Sequence, residues 1–291
     1  MWHPAGEPAA VVQLAHGIAE YALRYEPFAQ FMTAHGFLVT ANDHLGHGSS
    51  VSAAAPRLSF GPKDGWRHAV EDLHTLRCLI GQRYPALPYY ALGHSMGSFL
   101  MRTYLILYPG TVDGAILLGT GQTLSPVLAV GRVLTAAAVR RGGFDQASPF
   151  VEQLVFGAYN RAFSPNRTPC DWLSASEENV NRYQSDPLCG GAVSAGLFAD
   201  LLGGIAFLQS PGNLRRMDPS IPVLFLSGAQ DPVGRMGKGV RQAYESFQRV
   251  GVKDVSLKLY AGLRHEILNE SSRYEVYTDI LNWLMQRKSE G

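Results

Sequence analysis

The 291-residue chain has little cysteine, only Cys78, Cys170 and Cys189. An odd, unevenly spaced set argues against a disulfide framework and against paired zinc-ligand clusters. It points to a reduced, cytoplasmic setting. Charge of one sign is also missing: 25 Lys and Arg stand against 24 Asp and Glu. So even a balance leaves no electrostatic footprint for nucleic acid. Met1 to Pro8 lacks the charged-then-apolar pattern of a secretory signal. No long uninterrupted hydrophobic run is present either. The most apolar stretch, Gly190 to Leu208, is broken by glycines and Asp200, so it reads as a buried or pocket-lining helix rather than a membrane span. No internal repeat or low-complexity tract is evident, and nothing in the pattern specifies an oligomer.

What is present is the composition of a well-buried globular protein, with 46% hydrophobic and 17% charged residues. Short apolar runs at Val11–Ala15, Phe37–Ala41, Tyr89–Leu92, Ala115–Leu118, Val223–Leu226 and Val255–Tyr260 alternate with helical patterns. That alternation predicts an α/β fold, a mostly parallel sheet flanked by helices. One apolar face is expected on 64–84 from Val70, Leu73, Leu76 and Ile80, and another on 271–288 from Tyr274, Tyr277, Leu281 and Leu284. Between Thr120 and Pro219 the alternation lapses. A hundred residues are too many for a plain loop. The expected organisation is a core of 1–119 and 220–291 with a mainly helical cap over 120–219.

The apolar run Tyr89–Leu92 leads into Gly93-His94-Ser95-Met96-Gly97, followed directly by a helical stretch that Pro109 and Gly110 end. This is a G-x-S-x-G elbow, a tight strand-to-helix turn that exposes a serine hydroxyl. The turn strains the serine backbone, so its neighbours must be small. The helix that starts there aims free N–H groups at the site where an oxyanion would form. Ser95 is the candidate nucleophile.

A serine hydroxyl needs a base. Chain order for this motif is Ser, acid, His, and His265 is the one histidine after Ser95. It follows the run Val255–Tyr260. Asp231 lies between them, just past the end of Val223–Leu226, whereas Asp218 and Asp254 precede strands. Asp231 would fix the tautomer of His265. Backbone N–H groups of Met96 and of Ile18, in the loop after the first strand, are the candidate oxyanion donors. His16, and the glycine-rich turn of Asp43, His44 and His47, read as structural. The scheme requires neither metal nor organic cofactor.

The motifs His16-Gly17-Ile18-Ala19-Glu20 with Arg24-Tyr25, Asp43-His44-Leu45-Gly46-His47-Gly48, Gly93-His94-Ser95-Met96-Gly97, Ser185-Asp186-Pro187-Leu188, Asp231 and His265 span nearly the whole chain. On them the sequence resembles the monoacylglycerol lipase and lysophospholipase branch of the α/β hydrolases, which is grouped with serine aminopeptidases. The resemblance implies hydrolysis of a carboxylic ester of an acyl chain with a small alcohol, a small-molecule substrate; transient membrane-surface contact through the cap is the minority reading of the apolar stretch Gly190 to Leu208. It further implies that Glu20, Arg24, His94 and Tyr183 line the alcohol side of the pocket. Read on spacing alone, Glu20 and Arg24 form an i,i+4 pair on a helix surface. Only ten residues precede Val11, so the expectation is that the first strand of the usual sheet is missing or the chain is cut short.

Three other readings compete. One is an aminopeptidase or amidase, for which Glu177 and Glu178 are the candidate amine-binding carboxylates. Another is a short-chain carboxylesterase, and the last a non-catalytic interaction protein. Phe150, Phe156, Tyr159, Phe163 and Trp172 are the aromatic candidates for an acyl pocket in the cap.

Overall fold

The computed structural model describes residues 1–288. Six strands, β1 (Ala10–Ala15), β2 (Phe37–Ala41), β3 (Tyr89–His94), β4 (Gly114–Leu118), β5 (Val223–Gly228) and β6 (Val255–Tyr260), form one sheet in the order β2-β1-β3-β4-β5-β6. Every neighbouring pair is parallel. The chain starts in the interior of the sheet at β1, steps outward to β2, and crosses back to β3. The strand order reverses between β1 and β3, which is where parallel sheets open a crevice at their carboxyl ends.

Strand side chains alternate between two cores, as a period of two requires. Val11, Tyr89, Ala91, Ala115, Leu117, Val223 and Phe225 face one way. They pack under α2 (Gly65–Arg83), α3 (Met96–Leu107) and α9 (Lys238–Arg249). Val12, Leu14, Tyr90, Leu92, Ile116 and Leu224 face the other way, under α1 (Glu26–Ala34) and α10 (Arg273–Lys288). The α2 face is the expected one, with Leu76 only partly buried. The α10 stripe differs from expectation. Tyr274 is 59% exposed, and the buried set is Val276, Tyr277, Ile280, Trp283 and Leu284. Tyr274 sits beside Phe31 and Tyr277 at the rim, ring against ring, rather than under the helix.

Strand β2 is the edge of the sheet. Among the described residues no strand precedes β1, but Trp2 exchanges two backbone hydrogen bonds with Val39, at 2.9 and 3.1 Å, as an antiparallel bridge on that edge.

From β4 to β5 the described residues add no strand to the sheet. They form α4 (Ser125–Gly142), α5 (Pro149–Phe156), α6 (Glu177–Ser185), α7 (Ala195–Gln209) and the single turn α8 (Pro211–Leu214). Helix α7 is the apolar stretch that reads as a buried helix, starting five residues later than Gly190. It rests on α2, α3 and α4. Gly204 makes this seat possible, because a Cβ there would collide with the Trp66 indole. Trp66 is itself held by a 3.2 Å hydrogen bond from Nε1 to Thr103 Oγ1. No described helix is long and apolar enough to cross a membrane.

One group in this seat is poorly served. Asp200 Oδ2 is buried without a hydrogen-bond partner. Burial, reinforced by the Asp64 carboxylate, pushes its carboxyl up from 3.8 to about 7. A raised carboxyl opposes folding once the unfolded chain ionises, so stability is lost between about pH 4 and pH 7. Asp200→Asn removes that loss. It should raise Tm at pH 8 by roughly 2–4 °C, the shift that about 1 kcal/mol produces in a large domain, and leave Tm at pH 4 nearly unchanged. Calorimetry at the two pH values checks this.

Candidate active site

At the end of β3, Ser95 has φ 54° and ψ −121°, a strained conformation for a residue with a side chain. Two close approaches hold it there. A Cβ on Gly93 would strike the Gly97 carbonyl, and one on Gly97 would strike the Ala15 carbonyl. Ser95 N donates to Leu118 O at 3.0 Å, which pins the turn to β4. Among the described residues Ser95 Oγ makes no hydrogen bond, and it opens onto two cavities.

His265 and Asp231 approach from the loops after β6 and β5. His265 Nδ1 donates to Asp231 Oδ2 at 3.0 Å, with both residues almost fully buried. The Val233 amide (2.9 Å) and Ser227 Oγ (3.2 Å) also donate to Asp231, which fixes the carboxylate plane. With its proton on Nδ1, His265 keeps the Nε2 lone pair available as a base. His265 and Ser95 line the same cavity. The amides of Ile18 and Met96 donate to no other described group, so both can stabilise an oxyanion.

A buried charge cluster braces these loops. Arg24 donates to Glu20 Oε2 at 2.7 Å and to both Glu266 oxygens at 2.7 and 2.9 Å. Asn179, from α6, donates to Glu266 Oε2 at 2.7 Å. Glu20 Oε1 accepts from the Gly17 amide and from Tyr25 Oη, each at 2.6 Å. The single hydroxyl proton of Tyr25 is thereby used. Its oxygen therefore accepts from His94 Nδ1 at 2.7 Å. The other His94 nitrogen, Nε2, lies 3.2 Å from the His265 carbonyl, which can only accept. Both His94 nitrogens face acceptors, an arrangement that favours the imidazolium. Burial alone would lower its pKa, but hydrogen bonding and charge from Glu20 outweigh it and raise the value. Glu20 moves the opposite way: burial would raise its pKa, yet His94 and Arg24 hold it far below the carboxylate range.

Three other histidines are neutral. His16 Nε2 accepts from the His44 amide at 2.9 Å, so Nδ1–H donates to Gly17 O at 2.7 Å. Burial lowers His16 and His44, and takes His47 down to about 3. Asp43 holds the turn by accepting from the Ala22 and Ser49 amides at 2.9 and 2.8 Å.

The two cavities meet at Ile18, Ser95, Phe156 and Trp172. One, of 620 Å³, is walled by apolar side chains such as Met96, Phe99, Leu128, Leu201 and Ile205. The other, of 330 Å³, sets the polar groups of Glu20, His94, Glu152, Tyr183, His265 and Glu266 among apolar walls such as Ile18, Phe156, Leu173 and Val193.

A family model described as serine aminopeptidase, S33, matches residues 6–272. The chain belongs to this family of α/β hydrolases. It is 33% identical over 287 residues to a monoacylglycerol lipase of Mycolicibacterium smegmatis, covering 98% of this chain and 91% of that one. Identity to the monoglyceride lipase of Homo sapiens is 29% over 297 residues, covering 98% and 86%. Among solved structures, a thermostable carboxyl esterase from Bacillus coagulans in complex with glycerol superposes with TM-score 0.91 at 28% identity, covering 98% of this chain and 92% of that one.

Of the sequence-predicted residues, Ser95, Asp231, His265, Ile18, Met96, Glu20, His94 and Tyr183 converge on one place in this S33 hydrolase. Arg24 does not line the polar cavity; it lies next to it, saturated by two glutamates and facing the Tyr183 ring at 4.9 Å. Its pair with Glu20 is real, but its side chain is only 8% exposed, so it is no helix-surface pair. Phe156, Tyr159 and Trp172 line the apolar cavity, whereas Phe150 is 62% exposed and Phe163 lies under the Arg264 guanidinium. Glu177 and Glu178 are exposed. Sequence reasoning missed Glu266, Asn179 and Glu152. Adjacency to His265 was the only signal for Glu266, and the other two carry none.

The protonation of His94 is testable. Its raised pKa makes the Glu20–His94 interaction fully present below about pH 6.5 and lost as pH climbs through the folded value. In a nitrogen-15 pH titration of histidine-labelled protein, the His94 imidazolium should persist to higher pH than it does in Glu20→Gln. A His94 that loses its proton at the same pH in both proteins would contradict the assignment.

Proposed function

We propose that this chain hydrolyses carboxylic esters of acyl chains, monoacylglycerols foremost, through an acyl-enzyme on Ser95. The observation that carries the reading is the junction at Ser95 of a large apolar cavity and a smaller one that adds a set of polar side chains to apolar walls. Such a pair suits an ester with an aliphatic acyl chain and a small hydroxylated alcohol. The relatives named as monoacylglycerol and monoglyceride lipases, and the similar esterase with bound glycerol, support it.

In this mechanism Ser95 Oγ attacks the carbonyl carbon while His265 Nε2 takes its proton. Asp231 holds the imidazolium that results. The carbonyl oxygen becomes an oxyanion between the Ile18 and Met96 amides. Collapse breaks the ester bond, and His265 returns the proton to the leaving alcohol, which sits in the polar cavity. Water then enters, loses a proton to His265 and attacks the acyl-enzyme, and the carboxylic acid leaves with Ser95 restored. His94 and the Glu20–Arg24–Glu266 cluster act as positioning residues.

We treat 120–219 as a cap that completes both cavities. On α4, Val127, Val130 and Val133 are 58–69% exposed, Leu124 just before it is 48% exposed, and Arg132, Arg140 and Arg141 lie on the same helix. That combination suits transient docking on an anionic lipid surface. Three unpaired cysteines suit a reduced cytoplasmic location.

Ser95→Ala should lose at least about 10⁴-fold in kcat, and Asp231→Asn about 10⁴-fold, on monoacylglycerols. Across a panel of nitrophenyl esters and monoacylglycerols, medium and long acyl chains should be preferred. Activity confined to acetyl and butyryl esters would favour a short-chain esterase, and activity on aminoacyl-naphthylamides alone would favour an aminopeptidase. Val133→Glu should reduce sedimentation with anionic phospholipid vesicles by about tenfold, since about 1.4 kcal/mol of lost insertion corresponds to that factor.

A further inference from the structure

The polar cavity has an uneven charge inventory. Glu20 and Glu266 face it, but both are neutralised. Glu20 Oε1 accepts from Gly17 N and Tyr25 Oη, with His94 Nδ1 a further 3.3 Å contact, and Oε2 accepts from Arg24. Glu266 Oε1 accepts from Arg24, and Oε2 from Arg24, Asn179 and Asn269. Two carboxylates are thus matched by one guanidinium and one imidazolium. Glu152 is different. It lies in the first turn of α5, lines the cavity, and its carboxylate has no hydrogen bond or ion pair among the described residues. No lysine or arginine lines the cavity among the described residues. Beside the reacting groups of Ser95 and His265, the cavity therefore holds one carboxylate without a partner among the described residues, Glu152.

We propose that Glu152 is a specificity-determining residue that makes the leaving-group cavity a charge filter. It accepts uncharged and ammonium-bearing alcohols and rejects phosphate-bearing ones. This rests on the ester-hydrolase reading above. A phosphate monoester entering here would lose water without gaining a cation and would face a carboxylate. Like charges brought into one cavity repel. An ammonium would meet the same carboxylate with attraction, and a neutral polyol would find an acceptor for a hydroxyl. The filter acts on the alcohol alone, because the acyl cavity has Arg235 as its one charged lining residue.

The test uses matched esters below their micelle concentrations. Decanoylcholine and 3,3-dimethylbutyl decanoate share a shape and differ in charge. 1-Decanoylglycerol and its 3-phosphate add the anionic case. For the wild type, kcat/KM for decanoylcholine should exceed that for its neutral isostere by about tenfold, the factor set by about 1.4 kcal/mol. The phosphate ester should be the poorest of the four. Glu152→Gln should bring the choline-to-isostere ratio near one, and Glu152→Lys should invert it while raising the phosphate-to-glycerol ratio about tenfold. Raising NaCl to about 0.5 M should compress the wild-type ratio without any substitution. Ratios unmoved by both variants and by salt overturn the filter while leaving the hydrolase intact. Failure of the wild type on all four esters overturns the hydrolase reading and the filter with it.

Discussion

The structure turns on a buried ion cluster. Arg24 lies between Glu20 and Glu266, two carboxylates far apart in sequence, and His94 supplies the second positive charge. Taking four charges out of water is costly unless each meets an opposite charge and its remaining donors and acceptors are filled. Here they are filled. The cost of separating them is what keeps three loops together: the one after β1 that carries Ile18, the elbow after β3, and the one after β6 that carries His265. Asn179 and Tyr183 bind the segment between β4 and β5 into the same cluster. Losing Arg24 would strand two carboxylates, so the cluster behaves as a unit rather than as a sum of pairs.

The sheet and the cluster do different work. The parallel strands bring Ser95, Asp231 and His265 to one edge, each at or just past a strand end. The cluster then fixes the approach of each loop to within hydrogen-bonding precision. A hydroxyl with no competing partner, a histidine with its basic nitrogen free and two undonated amides are consequences of that order. The helices between β4 and β5 add what the sheet cannot, side chains that line both chambers. Helix α7 is central to this, with Leu201, Leu202 and Ile205 in the apolar chamber and its other face seated on Trp66.

Much of this was legible in the sequence, and for identifiable reasons. The first five strands appear as apolar runs because buried parallel strands need apolar residues on both faces, and the half-buried edge strand β6 shows instead as an alternation of apolar and polar residues. Ser95, Asp231 and His265 are readable because each stands in a fixed relation to a strand end. The Glu20–Arg24 pair was visible as a spacing, but its burial was not, since burial comes from Glu266 and Asn179 arriving from 242 and 155 residues away. Tyr274 was placed on the wrong face because a stripe of aromatics at helical spacing does not say which edge of the stripe meets the core. Glu152 had no signal at all. It lies in a segment without strand periodicity, where the surface that matters is made by packing between helices.

The most direct test is to catch the acyl-enzyme. Wild-type protein mixed with a monoacylglycerol, quenched in acid within its first turnover and digested, should yield the peptide bearing Ser95 with the added mass of the acyl group and no other acylated peptide. An unmodified Ser95 peptide under conditions where free fatty acid is being released, or an acyl group found on another residue, would contradict the account.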